Sequence, residues 1–290
     1  MLVITGANGQ LGAAIIENLL RSRPAQELVA SVRDPSQAAA LAARGVQVRA
    51  GDFAQPGTLR TAFAGADQVL IVSANKLGEE ARRLHQAAIE AAHAAGASRI
   101  LYTSHMGARP DSFFEPGLNH AASEAMLAAQ SVPYTSLRHG FYAESALHMV
   151  GRGLQAGLLR TPEDGPVSWT TRADLAEADA RLLTEPGRFN GLTPPLTAAE
   201  AVTMADLAAL ASEVTGREVR HETVTDDAWV QAQVAHGVPE PVAKLLLGSF
   251  RASRRGDFAA VDPTLETLLG RRPQSMREVL ARALQSPSQA

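Results

Sequence analysis

Short, continuous apolar runs recur along the first half of the chain, separated by longer stretches in which apolar residues return every three or four positions. A run that is apolar throughout is typical of a strand buried on both faces of a parallel sheet. Apolar residues at intervals of three and four predict the helices that connect such strands. The predicted strands are residues 2–4, 28–32, 46–50, 68–74, 99–104 and 132–138.

The stretches between these strands are long enough for one helix each. Their repeated alternation predicts an α/β fold, a Rossmann-type doubly wound parallel sheet with helices on both faces. Such sheets bind their ligands at the carboxyl ends of the strands. The predicted helices are one that begins after Gly9, an alanine-rich one that ends near Ala43, and residues 58–65, 79–96 and 120–130.

The alternation ends after the sixth strand, and the remaining sequence is less regular. Residues 140–159 have a mixed pattern, whereas residues 171–183 predict a helix with Thr171 as its N-cap. A further helix is expected over residues 204–216 and a short strand over residues 218–224.

The segment TGANGQLG at residues 5–12 joins the first strand to the first helix. An Asn-Gly pair between apolar runs is also a hairpin signal, but the helical spacing that follows favours a strand–turn–helix unit. In that unit Gly6 would permit the tight turn, Gly9 the close approach of a pyrophosphate, and Gly12 the packing of the helix on the strand. A purely structural turn is the alternative, since the first spacing is one residue longer than in GxGxxG. The cofactor-binding residues predicted here are Gly6, Asn8, Gly9, Gln10, Leu11 and Gly12.

The residue after the second strand indicates which dinucleotide is bound. In NAD-binding sites an acidic residue there takes the ribose 2′-hydroxyl, whereas this chain has Arg33, followed by Asp34. An arginine can hold a 2′-phosphate through charge-assisted hydrogen bonds and stack on adenine, which favours NADPH. Asp34 leaves NADH open as the cofactor, and a solvated loop arginine is the alternative for Arg33.

The ends of the next strands supply further candidates for the cofactor site. Asp52 and Phe53 follow the third strand and could lie beside the adenine, although Asp52 could instead cap the next helix. The segment after the fourth strand would pass under the ribose and nicotinamide, with Lys76 either part of the site or a solvated charge. The cofactor-binding residues predicted at these strand ends are Asp52, Phe53, Ser73, Ala74, Asn75, Tyr102, Thr103 and Ser104.

These patterns divide the chain into two expected parts. Residues 1–150 are predicted to form an NAD(P)-binding Rossmann domain and residues 151–285 a smaller C-terminal α/β substrate lobe, with the chain crossing back between them. A cleft between two lobes is the usual place for a small-molecule site. Residues 286–290 are expected to be a disordered tail.

Composition argues against several other classes of function. A formal net charge of −3 gives no basic surface for nucleic acid or an anionic membrane, and no apolar run is long enough to span a bilayer. The chain has no cysteine, which excludes disulfides and thiolate catalysis, and no spacing typical of a metal site, so no metal is expected. Since the chain begins with a strand rather than a basic leader, we expect a cytoplasmic protein without nucleic-acid or membrane partners.

The tyrosine–lysine pair of short-chain dehydrogenases is absent. In that motif a lysine four residues after a tyrosine lowers the pKa of the tyrosine, which then donates a proton. The residues four after the three tyrosines are Met106, Arg138 and Ala146, and the lysines of the chain are Lys76 and Lys244. A histidine or water would have to protonate a product instead.

Side chains near two later strand ends are the candidates for catalysis. Tyr102 and Ser104 share one face of the fifth strand by its two-residue period, and Ser104 and His105 would lie at the lip of the cleft. His120 and Glu124 are one turn apart on the next helix and share a face. For each histidine, a surface or core imidazole without a catalytic role is the alternative. The predicted catalytic residues are Ser104, His105, His120 and Tyr142.

Several segments occur in an order that is typical of one known family. They are TGANGQLG, SVRDP, LYTS, NHAASEAML, SLRHGFYAES and TTRADLAEADARLL. With this series the chain resembles the NmrA-like, atypical short-chain dehydrogenase group, in particular its type 2 NAD(P)H:quinone oxidoreductases and triphenylmethane-dye reductases. The resemblance extends from the first strand to near residue 285.

The resemblance implies roles for individual residues. The glycines of the first motif would bind pyrophosphate, and Arg33 would meet the 2′-phosphate. The HGFY segment would border the nicotinamide, with His139 where the family more often has asparagine. The isoflavone-reductase relatives have a lysine where this chain has His120. The residues that the resemblance places at the nicotinamide are His139, Gly140, Phe141 and Tyr142.

The missing tyrosine–lysine pair agrees with quinone reduction. A reduced quinone is a delocalised phenolate whose conjugate acid lies near the phenolic pKa of about 10, so water or a histidine could protonate it. We therefore expect an enzyme, an NADPH-dependent oxidoreductase that transfers hydride to a quinone or a similar planar, electron-poor small molecule. The alternatives are an NmrA-like redox sensor that binds dinucleotide without turnover and, last, an epimerase-like enzyme. We expect a small-molecule acceptor as the partner, and a monomer or homodimer.

Overall fold

A computed structural model describes residues 1–285, so the tail predicted at residues 286–290 lies outside the described part of the chain. The described strands are β1 (Leu2–Thr5), β2 (Leu28–Val32), β3 (Gln47–Ala50), β4 (Gln68–Ile71), β5 (Arg99–His105), β6 (Tyr134–His139), β7 (Phe141–Tyr142), β8 (Leu158–Pro162), β9 (Trp169–Thr170), β10 (Gly191–Leu192) and β11 (Arg220–Val224). The described helices are α1 (Gln10–Leu19), α2 (Ala39–Ala43), α3 (Pro56–Ala62), α4 (Gly78–Ala94), α5 (Glu115–Ala128), α6 (Ala143–Ala156), α7 (Arg172–Thr184), α8 (Met204–Thr215), α9 (Asp226–Ala235), α10 (Glu240–Arg254), α11 (Thr264–Leu269) and α12 (Met276–Gln285).

The largest sheet within residues 1–285 is parallel and has seven strands in the order β10-β6-β5-β4-β1-β2-β3. The chain starts at β1, adds β2 and β3 on one side, and then crosses to β4, β5 and β6 on the other. This is the doubly wound Rossmann arrangement, so the predicted fold class is confirmed. The direction reverses between β1 and β4, where the outgoing turns part and open a crevice at the carboxyl ends of the strands.

The inner strands of the sheet are buried on both faces, as their continuous apolar runs predict, whereas the edge strand β3 is partly exposed. All four residues of β1 are buried. Ile4 belongs to an apolar cluster with Leu11 and Ile15 of α1, whereas Val3 belongs to a second cluster with Ile89 of α4. Because both faces are packed, the strand ends and the turns after them are held in fixed positions.

The chain after β6 has an apolar cluster of its own. Two short parallel pairs, β7 with β9 and β8 with β11, lie in this part of the structure. The cluster draws on helices α6, α8, α10 and α12, and its members include Leu154, Trp169, Leu207, Phe250 and Leu280.

One segment of this second half returns to the large sheet. Helix α7 packs against α1, with Leu175 in the same apolar cluster as Leu11. Strand β10 pairs with β6 at the edge of the sheet. Arg99, at the start of β5, donates to the carbonyl oxygens of Leu182 at 3.0 Å and Phe189 at 3.2 Å. These contacts tie the returning segment to the strands.

Local signals explain where the sequence analysis succeeds and fails in this half. Helix α6 occupies a segment whose pattern is mixed, because Gly151 and Gly153 weaken the helical signal. The cap at Thr171 is confirmed, since its Oγ1 accepts the Asp174 N–H at 3.2 Å. Helix α8 ends at Gly216, which has a φ of 67°.

Candidate active site

The glycine turn joins β1 to α1 at the carboxyl end of the sheet. Gly6 has a φ of 57°, in the left-handed region that favours glycine, and its carbonyl accepts the Gly9 N–H at 2.9 Å. A Cβ on Gly12 would overlap that carbonyl, and one on Gly9 would lie 3.1 Å from it. The predicted tight turn at Gly6 is confirmed, while Gly12 packs the helix against the turn rather than against the strand.

The start of α1 is open to solvent. Asn8, Gly9 and Gln10 are exposed, and Gly9 caps the helix without a side-chain hydrogen bond. The first N–H groups of a helix have no partner within it and carry the positive end of its dipole. Leu11 is buried in the core, so its side chain supports the turn from behind. The turn can thus present backbone donors to a phosphate.

Arg33 follows β2, and its side chain is exposed. Within residues 1–285 it has no hydrogen-bond or ion-pair partner. Asp34, in contrast, accepts the Ser36 N–H at 3.0 Å and the Ser36 Oγ–H at 2.7 Å. These hydrogen bonds lower the pKa of Asp34, so its carboxylate serves as the cap of the next turn. Arg33, and not Asp34, is therefore the charged side chain at this strand end that is available to a ligand.

Asp52 and Phe53 follow β3. The Asp52 Oδ1 accepts the Ala54 N–H at 2.9 Å within its own turn, and Gln55 is the N-cap of α3. The alternative that Asp52 caps this helix is therefore wrong. Phe53 is half-buried against the apolar cluster on the α4 face of the sheet.

The turn after β4 is held by two neighbouring elements. The Ser73 N–H donates to Oγ1 of Thr103 at 2.9 Å, and that hydroxyl donates to Ser73 Oγ at 3.2 Å. The Ala74 N–H donates to Nε2 of His85, on α4, at 2.9 Å. The predicted cofactor segment is thus fixed by β5 on one side and by α4 on the other.

The tip of the same turn is exposed at Asn75 and Lys76. Lys76 Nζ lies 3.0 Å from Oε1 of Glu80, one turn along α4. Both side chains of this pair are half-exposed, so Lys76 is a solvated surface charge.

Tyr102 connects two histidines below the crevice. Its hydroxyl oxygen lies 2.9 Å from Nδ1 of His120 and 3.3 Å from Nδ1 of His85. The His85 Nδ1 also lies 2.8 Å from the hydroxyl of Ser123 on α5. Tyr102 and His120 are therefore in contact, and the sequence analysis missed His85. Its signal was an imidazole in the buried stripe of α4, between Leu84 and apolar residues one turn later.

The histidines of this region are neutral at pH 7. Burial lowers the pKa of His85 to about 4 and that of His105 to about 3. Burial, with the nearby imidazoles, holds the pKa of His120 well below its usual range. Burial also raises the pKa of Tyr102. The site therefore holds imidazoles that can donate or accept hydrogen bonds without charge.

Ser104 is buried and does not lie at the lip of the cleft, so that placement is wrong. Its Oγ donates to Oε1 of Glu124 at 2.8 Å. Arg138 forms a two-pronged pair with the same carboxylate, at 2.9 Å and 2.6 Å, and Ser136 donates to it at 3.0 Å. Glu124 thus fastens α5 to β5 and β6, which makes Ser104 part of the support for His120.

His105 lies in a group of aromatic rings. Its ring centroid is 5.2 Å from that of Phe114, 5.1 Å from Phe141, 5.4 Å from Phe258 and 6.2 Å from His120, with which it is stacked. Its Nδ1 accepts the backbone N–H of Gly107 at 3.0 Å. Phe114 and Phe141 are half-buried, so this ring cluster reaches the surface of the protein.

The HGFY segment sends its side chains to different places. The His139 Nε2 lies 3.0 Å from Oδ1 of Asp179, and both side chains are fully buried. Asp179 therefore holds the imidazole in the core, where its ring centroid lies 6.4 Å from that of Tyr142. Gly140 is also buried, and a Cβ there would overlap the Thr170 hydroxyl.

Phe141 and Tyr142 part at the end of this segment. Phe141 joins the ring cluster around His105. Tyr142 is half-buried and lies under Arg172, whose guanidinium carbon is 4.5 Å from the ring centroid. Burial raises the pKa of Tyr142, so its hydroxyl is a poor proton donor at neutral pH.

Two further observations concern residues 1–285 as a whole. No group of three or more histidine, aspartate or glutamate side chains in this range is placed to hold a metal ion. None of the helices described is both long and apolar enough to cross a bilayer.

The sequence matches known proteins over most of its length. The NAD(P)H-binding family matches residues 6–186. Quinone oxidoreductase 2 of Escherichia coli is 34% identical over 281 residues, 96% of each chain. The NAD(P)H azoreductase of Xenophilus azovorans is 29% identical over 279 residues, again 96% of each chain.

Solved structures agree with these matches. The NADPH-dependent quinone oxidoreductase of Escherichia coli, complexed with NADPH, superposes with a TM-score of 0.92 at 33% identity, covering 98% of this chain and 100% of that one. The Citrobacter sp. triphenylmethane reductase complexed with NADP(H) gives 0.89 at 32% identity, with the same coverage. The predicted resemblance is confirmed: the chain belongs to the NAD(P)H-binding family that includes quinone oxidoreductase 2 and the other NmrA-like oxidoreductases.

Proposed function

We propose that this protein transfers hydride from NADPH to quinones or to similar planar, electron-poor small molecules. The observation that supports the proposal is the placement of a glycine turn with open backbone donors, an arginine without a partner among the described residues and a half-buried ring cluster, all at the carboxyl end of the sheet. Relatives of nearly the same length include a quinone oxidoreductase, an azoreductase and a triphenylmethane reductase. Their names refer to quinone, azo and triphenylmethane compounds as the acceptors.

The residues present fit a dinucleotide. Because Gly12 has no side chain, the start of α1 lies directly against the glycine turn. The N–H groups of Gln10 and Leu11, in the first turn of this helix, would then donate to a pyrophosphate. Arg33 would hold the 2′-phosphate, because nothing else on the described chain engages its guanidinium. Bound NADPH supplies the hydride. Ser73, Ala74, Asn75 and the backbone at Gly140 would line the nicotinamide half.

The acceptor would lie against the ring cluster. His105, His120, Phe114 and Phe141 are all half-buried, so each offers part of a ring to the crevice. Planar aromatic rings favour offset or edge contacts with flat acceptors. These side chains would orient the acceptor and exclude water, which is the positioning contribution to rate. The predicted division into a Rossmann part and a substrate lobe over residues 151–285 would place the far wall of the crevice on that lobe.

Titration of the purified protein with NADPH and NADH by fluorescence, followed by addition of a benzoquinone, tests the proposal. We expect saturable binding that favours NADPH, and oxidation of the bound NADPH once the quinone is added. Tight binding without oxidation across quinones, azo dyes and triphenylmethane dyes would contradict the proposal and favour a dinucleotide-binding sensor. Sedimentation of the same sample would separate the monomer from the homodimer.

A further inference from the structure

A directional chain of hydrogen bonds runs from the turn after β4 to His120. It begins at the Ala74 N–H, which donates to His85 Nε2 at 2.9 Å. Because an N–H can only donate, this nitrogen of His85 carries a lone pair and no proton. His85 is neutral at pH 7, so its proton is on Nδ1, which lies 2.8 Å from Ser123 Oγ. The Ser123 hydroxyl donates a hydrogen bond to the Asn119 carbonyl at 2.9 Å.

The direction continues through Tyr102. Its buried hydroxyl needs an acceptor, and two imidazole nitrogens lie within hydrogen-bond distance, Nδ1 of His85 and Nδ1 of His120. Nδ1 of His85 carries the proton of that ring and cannot accept. Ser123 also interacts with the hydroxyl, but its oxygen already accepts the His85 Nδ1–H. The hydroxyl therefore donates to the unprotonated His120 Nδ1 at 2.9 Å. A neutral imidazole protonates one nitrogen only, so the proton of His120 is on Nε2.

This nitrogen is accessible from outside the core. His120 is half-buried, and within residues 1–285 its Nε2 has no hydrogen-bond partner and is not among the buried unpartnered atoms. The rings of His105 and Tyr102 flank the imidazole, with centroids at 6.2 Å and 5.8 Å. An N–H at this position meets whatever lies against the ring cluster.

We infer that His85 and Tyr102 are positioning residues that fix His120 in the Nε2–H tautomer, as a neutral hydrogen-bond donor to the oxygen of the acceptor. The inference rests on the proposed function and names a component of its acceptor site. It also links the two halves of that site, since the chain of hydrogen bonds starts on the predicted cofactor segment at Ala74.

His120 acts by donating a hydrogen bond and keeps its proton. Hydride from bound NADPH would form an O–H bond at one oxygen of a quinone, both carbonyl π bonds would be lost as the ring becomes aromatic, and the negative charge would collect on the opposite oxygen. A donor aimed at that oxygen stabilises the charge as it develops. If His120 released its proton, Tyr102 would have to supply another through Nδ1, and burial raises the pKa of Tyr102. The reduced acceptor takes its proton from water on leaving.

Tyr102→Phe tests the chain of hydrogen bonds with the smallest change, because it removes one hydroxyl and keeps the ring. We expect kcat with a benzoquinone to fall about tenfold, which corresponds to about 1.4 kcal/mol, because part of the His120 population loses the productive tautomer. The Kd for NADPH should stay within a factor of about two, since no phosphate contact changes. The control is Tyr134→Phe, on the far end of β6, which should leave both quantities unchanged.

Nitrogen NMR of the histidine rings gives a readout independent of turnover. In the wild type, His85 should carry its proton on Nδ1 and His120 on Nε2, so the two rings are opposite tautomers. In Tyr102→Phe, the His120 signals should shift toward a mixture while His85 stays as it is. A proton on Nδ1 of His120 in the wild type, or an unchanged kcat in Tyr102→Phe, would overturn the inference.

His120→Gln separates hydrogen-bond donation from proton transfer. A glutamine amide places an N–H near the position of Nε2 but cannot titrate, so this variant should keep most of the kcat that His120→Ala loses. Equal losses in the two variants would overturn the donor role. A wild type that binds NADPH but reduces no planar acceptor would overturn the proposed function instead, and the NMR tautomers would show that the hydrogen-bond chain itself is correct.

Discussion

Replacement of Arg33 by alanine should separate the two nicotinamide dinucleotides. The guanidinium is exposed and has no partner within the described residues, so the substitution breaks no contact that holds the fold. A hydrogen bond to a charged group contributes about 1.5 to 3 kcal/mol. Because solvent screens an exposed pair, we expect the lower part of this range, which weakens NADPH binding about tenfold to thirtyfold.

NADH has no 2′-phosphate, so its Kd should change by no more than about threefold, through loss of stacking on the adenine. The assay is a fluorescence titration of both cofactors against wild type and Arg33→Ala. Added salt should weaken NADPH binding more in the wild type than in the variant, since it screens the pair that the variant lacks. Arg188→Ala is a matched control, because that arginine pairs with Glu185 at the end of α7. Equal losses for NADPH and NADH would refute the assignment of Arg33 to the 2′-phosphate.

Three further predictions concern the supports of the site. Gly12→Ala should abolish detectable NADPH binding in the same titration, because the added Cβ overlaps the carbonyl of the turn, whereas Gly57→Ala, with open space around it, should bind normally. Glu124→Gln should lower the free energy of unfolding in urea by about 2 to 4 kcal/mol, since it leaves a partly buried guanidinium without its anion, and a loss under about 0.5 kcal/mol would contradict that role. Stability should be complete above pH 6.5, the usual pKa of His85, and should fall as the pH drops toward its folded value of about 4, because only the unfolded chain takes up the proton there. At pH 5 His85 alone contributes a loss of about 2 kcal/mol, so the difference in unfolding free energy between pH 7 and pH 5 in urea should be smaller in His85→Gln than in the wild type.

The fold was predictable where one physical requirement dominates a segment. Strand β1 is buried on both faces, so its sequence begins with the apolar run of residues 2–4, and the positive φ of Gly6 marks the turn that leads into α1. Helix α6 was not predictable in the same way. Its apolar residues pack on a core made of distant segments, and its two internal glycines lower the local helical signal.

For the site, the sequence was enough to predict the strand end at which each residue lies. The two-residue period of β5 placed Tyr102 and Ser104 on one face correctly. The hydrogen-bond partners of these side chains lie on other elements, and the period does not predict them. Ser104 bonds to Glu124, and His139 bonds to Asp179, which lies on a helix that returns to the sheet from the second half. His85 was missed because an imidazole in an apolar stripe of α4 has the same pattern as an ordinary core residue. Long-range pairing of buried polar groups leaves almost no periodic trace in a sequence.

The return of α7 and β10 to the large sheet limits how this protein could be rebuilt. A fragment that stops near residue 150 would expose the face of α1 that Leu175 covers and would leave Arg99 without the carbonyls of Leu182 and Phe189. The two halves of the chain are therefore not exchangeable modules with a single junction. Grafting a new acceptor specificity onto this nucleotide-binding sheet requires at least two crossovers, one on each side of the returning segment, so that α7 and β10 stay with the sheet they complete.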